Sequence, residues 1–296
     1  MEKPYILHLL TAARHASPFD VNMACDAGYD VVVPYTDVAV ADVTALVQDA
    51  IFSRGPKGAL RTGMYIGGRD IAIAADMLQA ARKAMVPPFE VSVFADPSGA
   101  FTTAAALVAC VERQLRRGGA GALQGKSIVV FGGTGPVGAT AALVAVDAGA
   151  HATIVSRTLS HARSTADELR GRYGATITAA GMDDGLAALR SAEVVLACGR
   201  AGVRLVTAAH LATAGRLLVA ADVNAVAPSG VEGVGAMDDG VPIAAASGTA
   251  AGIGALAVGG VKFQTQRSML ESMREGGKAV YLDFRDAFDV ARKRAS

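Results

Sequence analysis

The chain has 296 residues, a length that suggests two domains. At 52% hydrophobic and 19% charged it can bury large cores, and a net charge of +1 argues against a nucleic-acid or membrane-surface protein. Cys25, Cys110 and Cys198 are isolated and odd in number, so they read as buried thiols in a reducing cytoplasm, not as a disulfide framework; the five histidines show no metal spacing.

The N-terminus, Met1-Glu-Lys-Pro4, lacks the basic, apolar and cleavage regions of a signal peptide. Tyr5 to Leu10 reads as a first strand. Ser17-Pro18 offers an N-cap followed by proline at the first helical position, and Phe19 to Ala27 a helix ended by Gly28. Asp30 to Pro34 is a second strand, Val40 to Phe52 a helix, and Ser53 to Gly58 an exposed loop. Thr62 to Ile66 is a third strand, Asp70 to Met85 an amphipathic helix stopped by Pro87-Pro88, and Glu90 to Phe94 a fourth strand. Strands alternating with helices predict a parallel sheet covered on both faces. The loop from Ala95 to Thr103 leaves the carboxyl end of a strand, where open α/β sheets bind ligands. Ala104 to Arg117 is a helix, and Gly118 to Gly121 a linker.

The second half opens on Ser127-Ile-Val-Val-Phe131, a β-branched run followed at once by a glycine cluster. Gly133, Thr134, Gly135, Pro136, Val137 and Gly138 fall on G-x-G-x-x-G between a strand and a helix. The first glycine permits a tight turn, the second lets a pyrophosphate approach, and the third lets the helix pack closely. The N–H groups at the helix start then face the phosphates. Val137 to Ala148 is the helix, and His151 to Ser156 the next strand. An NAD-binding chain would carry an acid near that strand's end, roughly 20 residues past the glycines, to bind the ribose hydroxyls. Here Ser156-Arg157-Thr158 suits a 2′-phosphate, so NADP is the expected coenzyme, with NAD also accepted; alternatively Arg157 is a solvated surface residue.

A helix from Ser160 to Tyr173 and strands at Thr176–Ala179, Glu193–Ala197 and Arg216–Ala220 follow. Cys198 and Gly199 open a small-residue turn on which a dinucleotide could lie flat. Gly240 to Val261 carries no charge, but its glycines and proline suit close backbone packing near a ligand better than a membrane span. Phe263 to Arg274 and Asp283 to Arg294 read as helices, the second returning to pack on the first domain. The expected fold is α/β, with two doubly wound domains and a cleft between them. Residues 1–120 plus 264–296 form one domain, and residues 121–263 a Rossmann dinucleotide-binding domain.

Several stretches carry a family likeness: Ser17-Pro-Phe-Asp-Val-Asn22, Gln48-Asp-Ala-Ile-Phe-Ser-Arg54, Arg61-Thr-Gly63 and Val86-Pro-Pro-Phe89. It continues through Phe94 to Thr103, Ala221-Asp-Val-Asn-Ala225, Gly252 to Gly259 and Leu282 to Ala287. Over nearly its whole length the chain resembles the NAD(P)-dependent methylene-tetrahydromethanopterin dehydrogenases of methylotrophic bacteria. The resemblance implies oxidation of methylene- to methenyl-tetrahydromethanopterin by NAD(P)+ in one-carbon (formaldehyde) oxidation, in the cytoplasm, by a homo-oligomer. It makes residues 1–120 plus 264–296 the pterin domain. The stretches resemble the branch that takes NAD or NADP.

The methylene carbon lies between two nitrogens whose lone pairs stabilise the cation left by hydride loss, so direct transfer needs no obligatory general base. The protein must position the rings, exclude water and tolerate the new charge. Asp96 and Lys262 are the candidate catalytic groups. Asp96 would hold the pterin's guanidine-like edge or offset the cation, or else is an N-cap; Lys262 is a functional amine or a snorkelling surface residue. Asp20, Asn22, Arg54, Thr102 and Thr103 are candidate substrate contacts, against first-turn, loop or capping roles. Asn224 would bond the nicotinamide carboxamide, or else shapes a turn. The other readings are a methylene-tetrahydrofolate dehydrogenase, a shikimate-type NADP reductase, and a nucleotide-binding sensor without turnover.

Overall fold

The computed structural model describes residues 3–245 and 247–296. In chain order the first elements are β1 (Ile6–Leu10), α1 (Pro18–Asp26), β2 (Val31–Tyr35), α2 (Val43–Phe52), α3 (Gly55–Ala59), β3 (Thr62–Ile66), α4 (Ile71–Lys83), β4 (Ser92–Ala95) and α5 (Ala100–Arg117). Then come β5 (Ser127–Phe131), α6 (Pro136–Asp147), β6 (His151–Val155), α7 (Leu159–Tyr173), β7 (Thr178–Ala180), α8 (Met182–Ala188), β8 (Val194–Ala197), α9 (Ala208–Leu211) and β9 (Val219–Asp222). β10 (Asp239–Ala245), β11 (Gly248–Ile253), α10 (Ala255–Glu275), β12 (Tyr281–Leu282) and α11 (Phe284–Ala295) complete the chain. The chain divides into two compact units, Met1–Thr102 with Phe263–Val290, and Thr103–Lys262 with Ala291–Ser296.

The first unit holds a five-stranded, all-parallel sheet in the order β12-β4-β3-β1-β2. Counted within the unit this is 5-4-3-1-2, the doubly wound order whose switch point lies between β1 and β3. β3 and β4 are buried at every position, as apolar strands covered on both faces must be. α1 starts as its sequence predicts, with Ser17 as N-cap and Pro18 in the first turn. The Tyr65 and Phe94 rings meet edge to face at 5.4 Å, and Phe101 and Phe284 at 5.5 Å.

The second unit holds a seven-stranded sheet, β10-β11-β9-β8-β5-β6-β7, parallel except for the antiparallel edge pair β10–β11. Read from β7, its first six strands run 3-2-1-4-5 and then one more parallel strand, the Rossmann order with its switch point between β5 and β8. Phe131, Val195, Leu217 and Ala220 lie in its buried core.

Several elements depart from expectation. Ser53 to Gly58 is not all loop, because Gly55 starts the short helix α3 with Pro56 in its first turn. Gly240 to Val261 forms the β10–β11 hairpin and the first turns of α10, which begins at Ala255, well before Phe263. Its close backbone packing is against the chain itself: a side chain on Gly254 would overlap Gly235 and Ala236. Of the three cysteines only Cys110 is fully buried, and Cys25 is exposed. Among the described residues no helix is long and apolar enough to cross a membrane.

Candidate functional site

β5 delivers the chain to the carboxyl edge of the second unit's sheet at its switch point, where open α/β sheets bind ligands. Gly132 makes the turn, with φ +72°, and a Cβ there would sit 2.6 Å from Gly199 N and 2.7 Å from Cys198 O. Backbone conformation and the close approach of the loop after β8 both demand glycine. The turn-making role thus moves one residue upstream of Gly133, which keeps a φ outside the left-handed region and packs under Ile154. Gly138 acts as the motif predicts, since a side chain there would overlap Gly132 O. α6 starts at Pro136 with Gly135 as N-cap and no side-chain cap, so its first N–H groups seek an outside partner.

A cavity of about 440 Å³ opens against this turn. Gly132, Thr134 and Gly135 form one wall, and Val155, Ser156, Arg157 and His161 a second, at the end of β6 and the start of α7. Met182 and the loop after β8, with Cys198, Gly199, Arg200, Val203 and Leu205, complete it. No wall residue is acidic. Arg157 is exposed, and Ser156 is buried with its Oγ 3.4 Å from His161 Nδ1. Burial pushes the Cys198 thiol up to about 12, with the Asp222 charge adding, so it remains a neutral wall residue. An uncapped helix start, a glycine-lined turn and an acid-free far wall fit a dinucleotide with phosphates at both places.

In the first unit a polar cluster lies buried at the corresponding edge. Gly67, just past β3, donates its N–H to Leu10 O at the end of β1, and Asp20 Oδ2 lies 3.7 Å from where a Cβ on Gly67 would stand. Tyr65 donates its hydroxyl to Asp20 Oδ1 and to Asp96 O, both at 3.1 Å. Gln266, from α10, donates Nε2 to Asp20 Oδ1 at 3.3 Å and to the Tyr65 oxygen at 3.2 Å. Burial, then the Asp96 and Asp20 charges, hold the Tyr65 phenol well above its ordinary range, so it stays a donor. Asp96 is fully buried at the start of α5: Oδ1 accepts the N–H groups of Phe101 and Thr102, and Oδ2 the Thr102 hydroxyl at 2.6 Å.

Residues 18–98 match the family model described as methylene-tetrahydromethanopterin dehydrogenase, N-terminal. The chain is 46% identical over 293 residues to the NAD(P)-dependent methylenetetrahydromethanopterin dehydrogenase of Methylorubrum extorquens, covering 97% of each chain. This chain belongs to the methylene-tetrahydromethanopterin dehydrogenase family. A second relative of the family member, the bifunctional protein MdtA of the same organism, is 32% identical over 94% of this chain and 95% of its own. Among solved structures, shikimate 5-dehydrogenase from Listeria monocytogenes (TM-score 0.51, covering 93% of each chain) and 5-ketofructose reductase from a Gluconobacter strain (0.52, covering 98% and 99%) share the fold at 16% identity.

Within this family member, Thr134, Gly135, Ser156, Arg157, Cys198 and Gly199 line the cavity, while Gly133, Pro136, Val137 and Gly138 build the turn and helix behind it. Thr158 is the N-cap of α7 without a side-chain bond and stands outside the wall. Asn224 forms the bonds of the turn-shaping alternative: its Oδ1 accepts Val226 N at 2.9 Å and its Nδ2 donates to Pro228 O at 3.0 Å. Arg54 lies away from the Asp20 cluster. Its guanidinium donates to Arg61 O, Thr62 Oγ1 and Pro4 O, at the amino ends of β1 and β3, the edge opposite Asp20. Asp96 and Thr102 meet at the start of α5, where Asp96 accepts the Thr102 hydroxyl and two backbone N–H groups, as the capping alternative requires. Asn22 is exposed on α1, Thr103 half-buried on α5, and Lys262 half-buried on α10 one turn before Gln266. Sequence reasoning missed Gly132, His161, Tyr65 and Gln266. Gly132 could have been found from the doubled glycine, and Gln266 from its spacing of four after Lys262.

Proposed function

We propose that this chain oxidises methylene-tetrahydromethanopterin to methenyl-tetrahydromethanopterin with NADP+ preferred and NAD+ accepted, by direct hydride transfer in one-carbon (formaldehyde) oxidation. The observation that carries the reading is whole-length similarity to an enzyme of that name, in a chain whose second unit has an acid-free cavity against a glycine turn. When bound, the nicotinamide supplies the hydride acceptor. The chain's own residues do the rest. The start of α6 at Gly135, Pro136, Val137 and Gly138 holds the pyrophosphate, and Ser156 and Arg157 hold the 2′-phosphate, with Thr158 beside them at the start of α7. Cys198 and Gly199 give the flat wall for the coenzyme.

In the first unit, Asp20 is the carboxylate we assign to the pterin, oriented by Tyr65 and Gln266. Its negative charge favours the cationic product over the neutral substrate. Lys262, on the same α10 face as Gln266, orients the substrate. Thr103 and Asn22 remain candidate contacts, and Asp96 serves as a positioning residue that fixes the start of α5. Cytoplasmic residence and a homo-oligomeric state belong to the same reading. The test is an activity matrix on purified protein: methylene-tetrahydromethanopterin and methylene-tetrahydrofolate, each with NADP+ and NAD+, followed at the reduced-coenzyme absorbance. Turnover with the methanopterin substrate, highest with NADP+, is expected. Turnover with the folate substrate alone, or none with any pair, overturns the reading.

A further inference from the structure

We propose that His161 is a third ligand of the coenzyme's 2′-phosphate and sets this chain's preference for NADP over NAD. The proposal rests on the dinucleotide reading above and extends it to a residue outside the Ser156-Arg157-Thr158 turn. His161 is the third residue of α7, and its ring joins Ser156 and Arg157 on one wall of the cavity. Nδ1 lies 3.4 Å from Ser156 Oγ, which fixes the ring and leaves Nε2 as the second nitrogen for a ligand. The end of β6 is where this fold places the adenosine ribose, so an anion bound here is its 2′-phosphate and not the pyrophosphate at α6.

Charge supports the assignment. The first turn of α7 contains no acidic residue, although acids are the side chains a helix start favours. Instead Arg157 brings a cation to that end, against the dipole, His161 adds an imidazole, and Thr158 leaves the first N–H groups without a side-chain cap. A phosphate dianion reverses both penalties: it accepts from the helix start and from the two basic side chains at once. Without such a ligand, no residue of the cavity wall supplies the missing negative charge.

The experiment is calorimetric binding of NADP+ and of NAD+ to the purified full chain at pH 7, with no pterin present. His161→Ala is expected to weaken NADP+ about tenfold, the scale of one lost charge-assisted bond, and to change NAD+ less than twofold. His161→Arg, which places N–H donors at the same helix position, is expected to recover most of that loss. Arg163→Ala, an exposed α7 residue outside the cavity wall, serves as the control and is expected to change neither coenzyme more than twofold. Unchanged NADP+ binding in His161→Ala, or equal weakening of both coenzymes, overturns the proposal. Failure of the unsubstituted chain to bind either coenzyme overturns the dinucleotide reading itself, and this one with it.

Discussion

Asp96 shows how one carboxylate whose place in a sequence suggests chemistry also serves as architecture in a fold. Its residue type and its place after a strand both suit a binding site, and its oxygens accept two backbone N–H groups and one hydroxyl of α5. Asp96→Ala is therefore expected to cost about 2 kcal/mol of stability, the sum of a lost N-cap and a stranded Thr102 hydroxyl. Denaturant unfolding checks the magnitude, and coenzyme affinity measured alongside should hold within twofold. Tyr65 and Gln266 illustrate the opposite case. Nothing near either residue in the chain marks it as polar machinery, because their shared partner Asp20 lies 45 residues from the first and 246 from the second. The place of Arg54 was not legible for a related reason: a loop arginine carries no sign of which edge of a sheet its loop will meet.

At the scale of the element, the β5–α6 turn was legible because its requirements are local. Small residues, a proline and a buried strand sit in one short run, and the structure shifts only which glycine bears the left-handed conformation. Gly132→Ala should lower stability by about 2 kcal/mol or more, through both the strained φ and the collision with the backbone at Cys198 and Gly199. Thermal melts and NADP+ titration should both register it, and a neutral result would show that the turn tolerates another conformation. β12 escaped notice because two residues have no periodicity, and the start of α10 because Gly259-Gly260 reads as a break. At the other end of the second sheet, Glu193 ties strand starts together. Burial pushes its carboxyl up, but the Ser127 N–H and Lys126, with the charges of Lys126 and Arg216, outweigh burial and hold it below the ordinary range. A carboxyl depressed in the folded state adds stability above its unfolded pKa and loses it as pH falls through the folded one. Glu193→Gln is thus expected to melt lower than the unsubstituted chain at pH 7, with the gap closing as pH drops below the 4.5 of a free glutamate. A gap that stays constant down to pH 3 would remove Glu193 from the acid sensitivity of this unit.

At the scale of the whole molecule, the alternation of strands and helices was enough to read two parallel-sheet units. Strand order was not, since it depends on which segments return. β12 pairs with β4 across more than half the length of the chain, Ser92 Oγ donates to Met273 O, and Phe284 packs on Phe101. A chain ending at residue 276 lacks β12 and α11 and should lose the cooperative unfolding transition of the first unit while retaining NADP+ binding by the second. Circular dichroism melts and coenzyme titration on that truncated chain separate the two outcomes, and retention of both transitions would contradict the pairing.

The discontinuous first unit also has a consequence for synthesis. A ribosome releases Met1–Thr102 early and the segment Phe263–Val290 late, with the entire stretch Thr103–Lys262 in between. The sheet of the second unit can therefore close during translation, while the unit that began first waits with an unfinished sheet edge at β4 until β12 emerges.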